Sequence, residues 1–251
     1  MKKNSALFVV AVLVVLLAGS LASIPHAANG AQEATAAATQ AQVAPTKVSI
    51  SLPDGKAIDA VYYAPPAGSK KAPAAVLLHE LGASPDVWKN FAPKLTALGY
   101  AAVSPANFST MKGSEAGILE IAKWLRKQPG VDGSRVAMIG ASIGANLSIR
   151  ECAIDADCKV VVALSPGLDY QGITTEDAMA NMAKKNVLIM AGQLDSSSKG
   201  IAKVVVATPI TANVILRMYA TTFSHGTSLL TDASFAPDSE ELILHWLKLY
   251  N

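Results

Sequence analysis

The chain has 251 residues, 51% of them hydrophobic, and 21 lysines and arginines against 19 acidic residues give it a formal net charge of +2. With so even a balance, and no basic run longer than a pair, it lacks the electrostatic footprint of a nucleic-acid binder and offers no polybasic patch to an acidic membrane surface. The length fits one α/β domain of roughly 200 residues once terminal extensions are set aside.

Lys2 and Lys3 precede an unbroken apolar run from Ala6 to Ala18, followed by small residues at Ser20 and Ala22. This is the pattern of an export signal, with Ser20-Leu21-Ala22 as the cleavage site and Pro25-His26-Ala27 as the second candidate. The expected location is therefore periplasmic or extracellular. The apolar stretch from Leu7 to Ile24 nearly reaches the ~20 residues that cross a bilayer, so residues 1–27 have an uncleaved anchor as their alternative reading, and membrane contact is expected only in that case. Residues 28–46 are rich in Ala, Thr and Gln without branched or aromatic anchors, which predicts a flexible spacer ahead of a folded domain over 47–251.

Short apolar runs then alternate with helical patterns. Strands are predicted at 47–52, 57–63, 74–79, 100–104, 135–140, 159–164, 186–191 and 213–219, with Pro53-Asp54-Gly55 turning the first pair into a hairpin. Helices are predicted at 85–98, 115–128, 142–154, 174–184, 198–206 and 238–250. Runs such as Ala74-Ala75-Val76-Leu77-Leu78 are apolar throughout rather than alternating, as strands buried on both faces must be. The expected fold is α/β, an eight-stranded, mostly parallel sheet covered by helices on both faces. Ligands bind such sheets beyond the carboxyl ends of the strands, so the residues that follow each run carry the functional signal.

The only two cysteines, Cys152 and Cys158, are expected to pair in an exported protein. Residues six apart on an unbroken helix are too distant to bond, so pairing requires the helix to end near 153–156. Trp88, Trp124 and Trp246 sit at helical spacing among apolar neighbours and read as core. No closely spaced His pair with an acid, phosphate loop or dinucleotide fingerprint is present, so neither metal nor cofactor is expected.

Gly140-Ala141-Ser142-Ile143-Gly144 ends a predicted strand and opens a predicted helix. In that context a GxSxG pattern describes a sharp turn in which side chains at 140 and 144 would collide and the serine oxygen is thrust outward at a helix N-terminus. An ordinary helix-capping serine is the alternative for the pentapeptide alone.

From Lys47 to Asn251 the chain resembles the α/β-hydrolase family: the strand order, the elbow after the fifth strand and the serine, acid, histidine order all match. The resemblance implies Ser142 as nucleophile, His225 in Ser224-His225-Gly226 as general base, and Asp195 after the strand at Val187–Ala191 as the acid that orients the imidazole. Asp169, after the sixth strand, is the rival acid; Asp232 reads as a surface residue, and His26 and His245 as bland. The resemblance also implies an oxyanion hole from the backbone N–H groups of Ile143 and Leu81. His79-Glu80-Leu81 is similar to the loop of the dienelactone hydrolase branch, in which a glutamate contacts the resting nucleophile, which makes Glu80 a candidate modulator of Ser142; that branch uses a cysteine where this chain has serine. No long insertion separates the sixth and seventh strands, so little or no lid is expected, and Phe108, Tyr170 and Phe223 are candidate pocket residues. The expected function is an exported serine esterase acting on small-molecule esters. The alternatives are peptidase, thioesterase or lactonase activity on the same triad, or a non-catalytic binding protein.

Overall fold

The computed structural model describes residues 44–106, 108 and 115–251. The expected export segment and most of the spacer lie outside the described residues. The two hairpin strands, β1 (Thr46–Ser51) and β2 (Ala57–Tyr63), pair antiparallel as the Pro53-Asp54-Gly55 turn predicts. β3 (Ala72–Leu78), β4 (Ala101–Pro105), β5 (Val131–Ala141), β6 (Cys158–Leu164), β9 (Asn186–Gly192) and β10 (Asn213–Tyr219) follow, and every pairing among these six is parallel. Between β6 and β9 lies a small antiparallel pair, β7 (Asp169–Tyr170) with β8 (Ile173–Thr174), which the sequence reading did not anticipate.

Spatial order across the main sheet is β1-β2-β4-β3-β5-β6-β9-β10. The chain leaves β3 toward β4 and then returns to the other side of β3 to lay down β5. The two loops that leave β3 and β5 therefore run to opposite sides at this reversal, the place where open α/β sheets bind their ligands.

Side chains along the central strands point alternately into two separate apolar layers. Val76, Met138 and Ile189 meet α2 (Glu115–Arg126), α3 (Ile143–Ile154) and α5 (Ser198–Val206) on one face. Leu77, Ile139 and Leu188 meet α1 (Ala92–Ala97) and α6 (Ala236–Tyr250) on the other. Residues on both faces of these strands are essentially inaccessible, which is why the runs lack alternation. Each such side chain contributes roughly 1.5–3 kcal/mol by leaving water.

Helix lengths depart from expectation in two places. The predicted helix over 85–98 is a 3-10 turn at Pro85–Trp88 followed by α1, with Pro93 in the first turn of α1, where its missing N–H costs nothing. The predicted helix over 174–184 shortens to α4 (Glu176–Met179). Trp88 and Trp246 are buried, and Trp124 packs edge-on against Tyr62 at 5.3 Å.

Cys152 and Cys158 form a disulfide with Cα atoms 5.2 Å apart, and α3 ends at Ile154 between them, as pairing required. The same turn is held by the buried Lys185, whose ammonium donates to the carbonyls of Asp155 (2.7 Å) and Cys158 (2.8 Å), and by an ion pair between Arg126 and Asp155. Closing so short a loop constrains the unfolded chain by about 2 kcal/mol. Replacing both cysteines with serine is therefore expected to lower the unfolding free energy in urea by about that amount without loss of the folded state.

Candidate active site

Ser142 caps α3 with φ 54° and ψ −120°, a conformation that non-glycine residues adopt only under constraint. The constraint is visible beneath it. A Cβ on Gly140 would lie 2.1 Å from the carbonyl oxygen of Gly144, and one on Gly144 would lie 2.4 Å from that of Leu78. No side chain fits at either place, so the first turn of α3 presses directly on the ends of β3 and β5. Ser142 is tied to β6 as well, its N–H donating to Leu164 O at 2.8 Å. As the first helical residue, Ile143 has an N–H without an intrahelical acceptor, directed out of the helix end.

Loops from four other strands converge on this point. After β9, Asp195 is buried and its carboxylate collects donors: His225 Nδ1 at 2.8 Å and Ser197 Oγ at 2.7 Å reach Oδ2, and the Ser197 N–H reaches Oδ1 at 3.2 Å. Burial by itself would raise the Asp195 pKa; the hydrogen bonds from Ser197 and His225 outweigh it and hold the carboxyl below its ordinary value. Because a carboxylate only accepts, the proton on the imidazole sits on Nδ1, and Nε2 is left as the basic nitrogen. His225 itself is about one-third exposed, its side chain at 37%.

The loop that carries His225 is pinned on both sides. The Gly226 N–H donates to Ser165 Oγ at 3.0 Å, and Thr227 Oγ1 donates to Glu80 Oε1 at 2.5 Å. A Cβ on Gly226 would touch that of Ala141 at 3.4 Å, which sets the histidine loop directly against the residue before the serine. A Cβ on Gly192 would lie 2.7 Å from Thr222 O and 2.8 Å from Ser224 O, so the acid and histidine loops touch through bare backbone. No hydrogen bond joins Ser142 Oγ to His225 among the described residues. Such contacts commonly lengthen in unliganded enzymes and tighten around substrate.

The remaining candidates divide. Asp169 is exposed and its Oδ1 accepts from the Gly172 N–H at 2.6 Å, closing a local turn; His225 pairs with Asp195, not with this rival. Glu80 does not contact Ser142 through a hydrogen bond; its carboxylate is spent on Thr227, with Oε2 buried beside Gly226. Phe108 is buried, with its ring 4.6 Å from that of His79, so it belongs to the apolar layer rather than to an open pocket. His79 in turn lies between the carbonyls of Glu80 (2.9 Å) and Ala106 (3.3 Å), fixing the loop that presents Leu81. Tyr170 is half-buried with its ring edge-on to His225, centroids 6.4 Å apart, while Phe223 (75%), Leu81 (56%) and Leu194 (47%) are exposed around the rim. Asp232 is more than a surface residue: it accepts Ser224 Oγ at 2.8 Å next to His225. His245 lies on the solvent side of α6.

Ser165, Ser197 and Thr227 were not singled out in the sequence. Only Ser197 carries a local signal, the Asp-x-Ser spacing from Asp195 that favours a side-chain-to-backbone turn. Among the described residues, no group of three or more His, Cys, Asp or Glu side chains is placed to hold a metal ion, and no helix is long and apolar enough to cross a membrane.

No protein-family model matches the chain, and no curated protein matches it in sequence. Solved structures do resemble it. DcsB, determined in complex with its substrate analogue, superposes with a TM-score of 0.70 at 12% identity over 82% of this chain and 98% of that one. An esterase from Pyrobaculum calidifontis gives 0.68 at 16% identity over 83% and 86% of the two chains. The thermostable carboxylesterase EstE1, cloned from a metagenomic library, gives 0.66 at 16% identity over 85% and 91%. A Klebsiella pneumoniae protein assigned as a dienelactone hydrolase is similar to the same degree, with a TM-score of 0.67. The fold is that of the α/β-hydrolases.

Two expectations follow from this geometry. Gly144→Ala must push backbone apart at the elbow and is expected to cost several kcal/mol of stability, or on the order of the 1–3 kcal/mol of a core overpacking if the helix yields, measured by urea unfolding. The depressed Asp195 pKa contributes stability that is present above the unfolded carboxylate value of about 3.9 and is lost as pH falls through the lower folded value. The stability gap between wild type and Asp195→Asn should accordingly narrow below about pH 4, read from unfolding curves in a pH series.

Proposed function

We propose that the protein is a serine hydrolase that cleaves carboxylic esters of small substrates through an acyl-enzyme intermediate, and that it acts after export. The observation that carries this reading is a constrained serine at a strand end, facing a loop whose histidine is hydrogen-bonded at 2.8 Å to a buried carboxylate. Kinship of fold with esterases supports the same class of chemistry.

A serine hydroxyl is a weak nucleophile near neutral pH until a base removes its proton. His225 Nε2 takes that proton as Ser142 Oγ bonds to the acyl carbon, and Asp195 stabilises the imidazolium through Nδ1. The developing oxyanion falls to the N–H groups of Ile143 and Leu81. His225 then protonates the departing alcohol, and water repeats the sequence to free the acid and restore the serine. The exposed apolar side chains of Leu81, Leu194 and Phe223 suit an uncharged acyl or alcohol group. Export accords with the cystine at 152–158, which persists in oxidising compartments.

The reading is tested with a fluorophosphonate probe and p-nitrophenyl acetate. Wild-type protein should be labelled and active, while Ser142→Ala should lose labelling and at least about a thousandfold of the rate. Labelling or hydrolysis that survives in the variant would contradict it.

A further inference from the structure

The loop between β6 and β9 supplies a hydroxyl that this mechanism leaves unused. Tyr170 lies over the backbone of Gly167 so closely that a Cβ there would come within 2.8 Å of the ring. That backbone is fixed by Asn146, a fully buried side chain on α3: its Oδ1 accepts from the Gly167 N–H at 3.0 Å and its Nδ2 donates to Ile173 O at 2.7 Å. Thr175 Oγ1 donates to Gly167 O at 2.8 Å and completes the clamp. One helix thus sets both Ser142, at its cap, and the ring of Tyr170.

The Tyr170 hydroxyl donates to Ser165 O at 3.3 Å, a long and weak bond, and its ring stands edge-on to that of His225 with centroids 6.4 Å apart. Burial, foremost, and the charge of Asp195 keep its pKa above the ordinary tyrosine value, so near neutral pH the group is a donor. β3 and β6 are the two neighbours of β5, so the loop that carries Tyr170 leaves the sheet on the opposite side of β5 from the loop that presents Leu81. An acyl oxygen directed toward Leu81 leaves the departing oxygen on the side where Tyr170 and His225 stand.

We propose, on the basis of the serine hydrolase reading above, that Tyr170 is a further catalytic residue whose hydroxyl hydrogen-bonds the leaving-group oxygen during acylation. In the resting enzyme the Tyr170 hydroxyl rests on its weak bond to Ser165 O. The Ser142 proton passes to His225 as the Oγ–carbon bond forms. Rotation about the phenolic C–O bond then turns the Tyr170 proton toward the ester oxygen. As the acyl carbon–oxygen bond breaks, His225 Nε2 delivers its proton to the departing oxygen and Tyr170 keeps its own.

A donor of this kind matters most for a poor leaving group. Wild type and Tyr170→Phe are compared by kcat/KM, which reports acylation, on ethyl butyrate and p-nitrophenyl butyrate, with Ser142→Ala as control. Tyr170→Phe should lose about tenfold or more on the ethyl ester and under about twofold on the nitrophenyl ester. Gly167→Ala, which displaces the ring but retains the hydroxyl, should reproduce the split. An equal loss on both esters, or none, with wild-type turnover still dependent on Ser142, would overturn the role of Tyr170 and leave the serine hydrolase reading standing. Wild-type protein that neither turns over the esters nor takes the fluorophosphonate at Ser142 would overturn both.

Discussion

Where the first turn of α3 meets the ends of β3 and β5, backbone touches backbone with no room for a single carbon at Gly140 or Gly144. The rest of the site depends on that approach. It forces Ser142 into a left-handed conformation costing about 1–3 kcal/mol in isolation, which the surrounding packed sheet over-determines. It also places the first free N–H of the helix beside the serine, and sets α3 against the carbonyls of Leu78 and His79, the root of the loop that carries Leu81. The constrained serine and the helix N–H beside it, the proposed nucleophile and one proposed oxyanion donor, are consequences of one contact.

The second half of the site is held by small hydroxyls, some local and some spanning long stretches of chain. Ser197 bonds to Asp195, Ser165 to the Gly226 backbone, Thr227 to Glu80 and Ser224 to Asp232. Ser165 and Thr227 fix one loop to another, and Ser197 and Ser224 brace the loops that carry Asp195 and His225, with little of the side-chain entropy that long side chains would forfeit. Asp195, with three donors on two oxygens, is well suited to remain ionised though buried, and that charge keeps the imidazole proton on Nδ1.

Much of this was legible in the residues. Strands buried on both faces announce themselves as unbroken apolar runs, and all eight strands of the main sheet fall within a few residues of expectation. The elbow was legible because glycine, serine and glycine at that spacing have a steric meaning, and the Asp195–His225 pair through the resemblance to the α/β-hydrolase family, which left Asp169 as a rival acid. The β7–β8 pair was not, because strands of two residues have no periodicity to read. Nor were the partners of the loop serines, since serine is common in loops and its acceptor is chosen by tertiary contact. Glu80 shows the same limit: the loop was identified, but the carboxylate answers to Thr227, 147 positions away, a partner that no local pattern specifies.

The turn joining α3 to β6 carries two independent fastenings, a cystine and the amine of Lys185 on the carbonyls of Asp155 and Cys158. Such redundancy decouples geometry at the opposite end of the helix from redox chemistry. A descendant living under reducing conditions could shed both sulfurs by drift and still hold the same helix, at the same pitch, beneath Ser142.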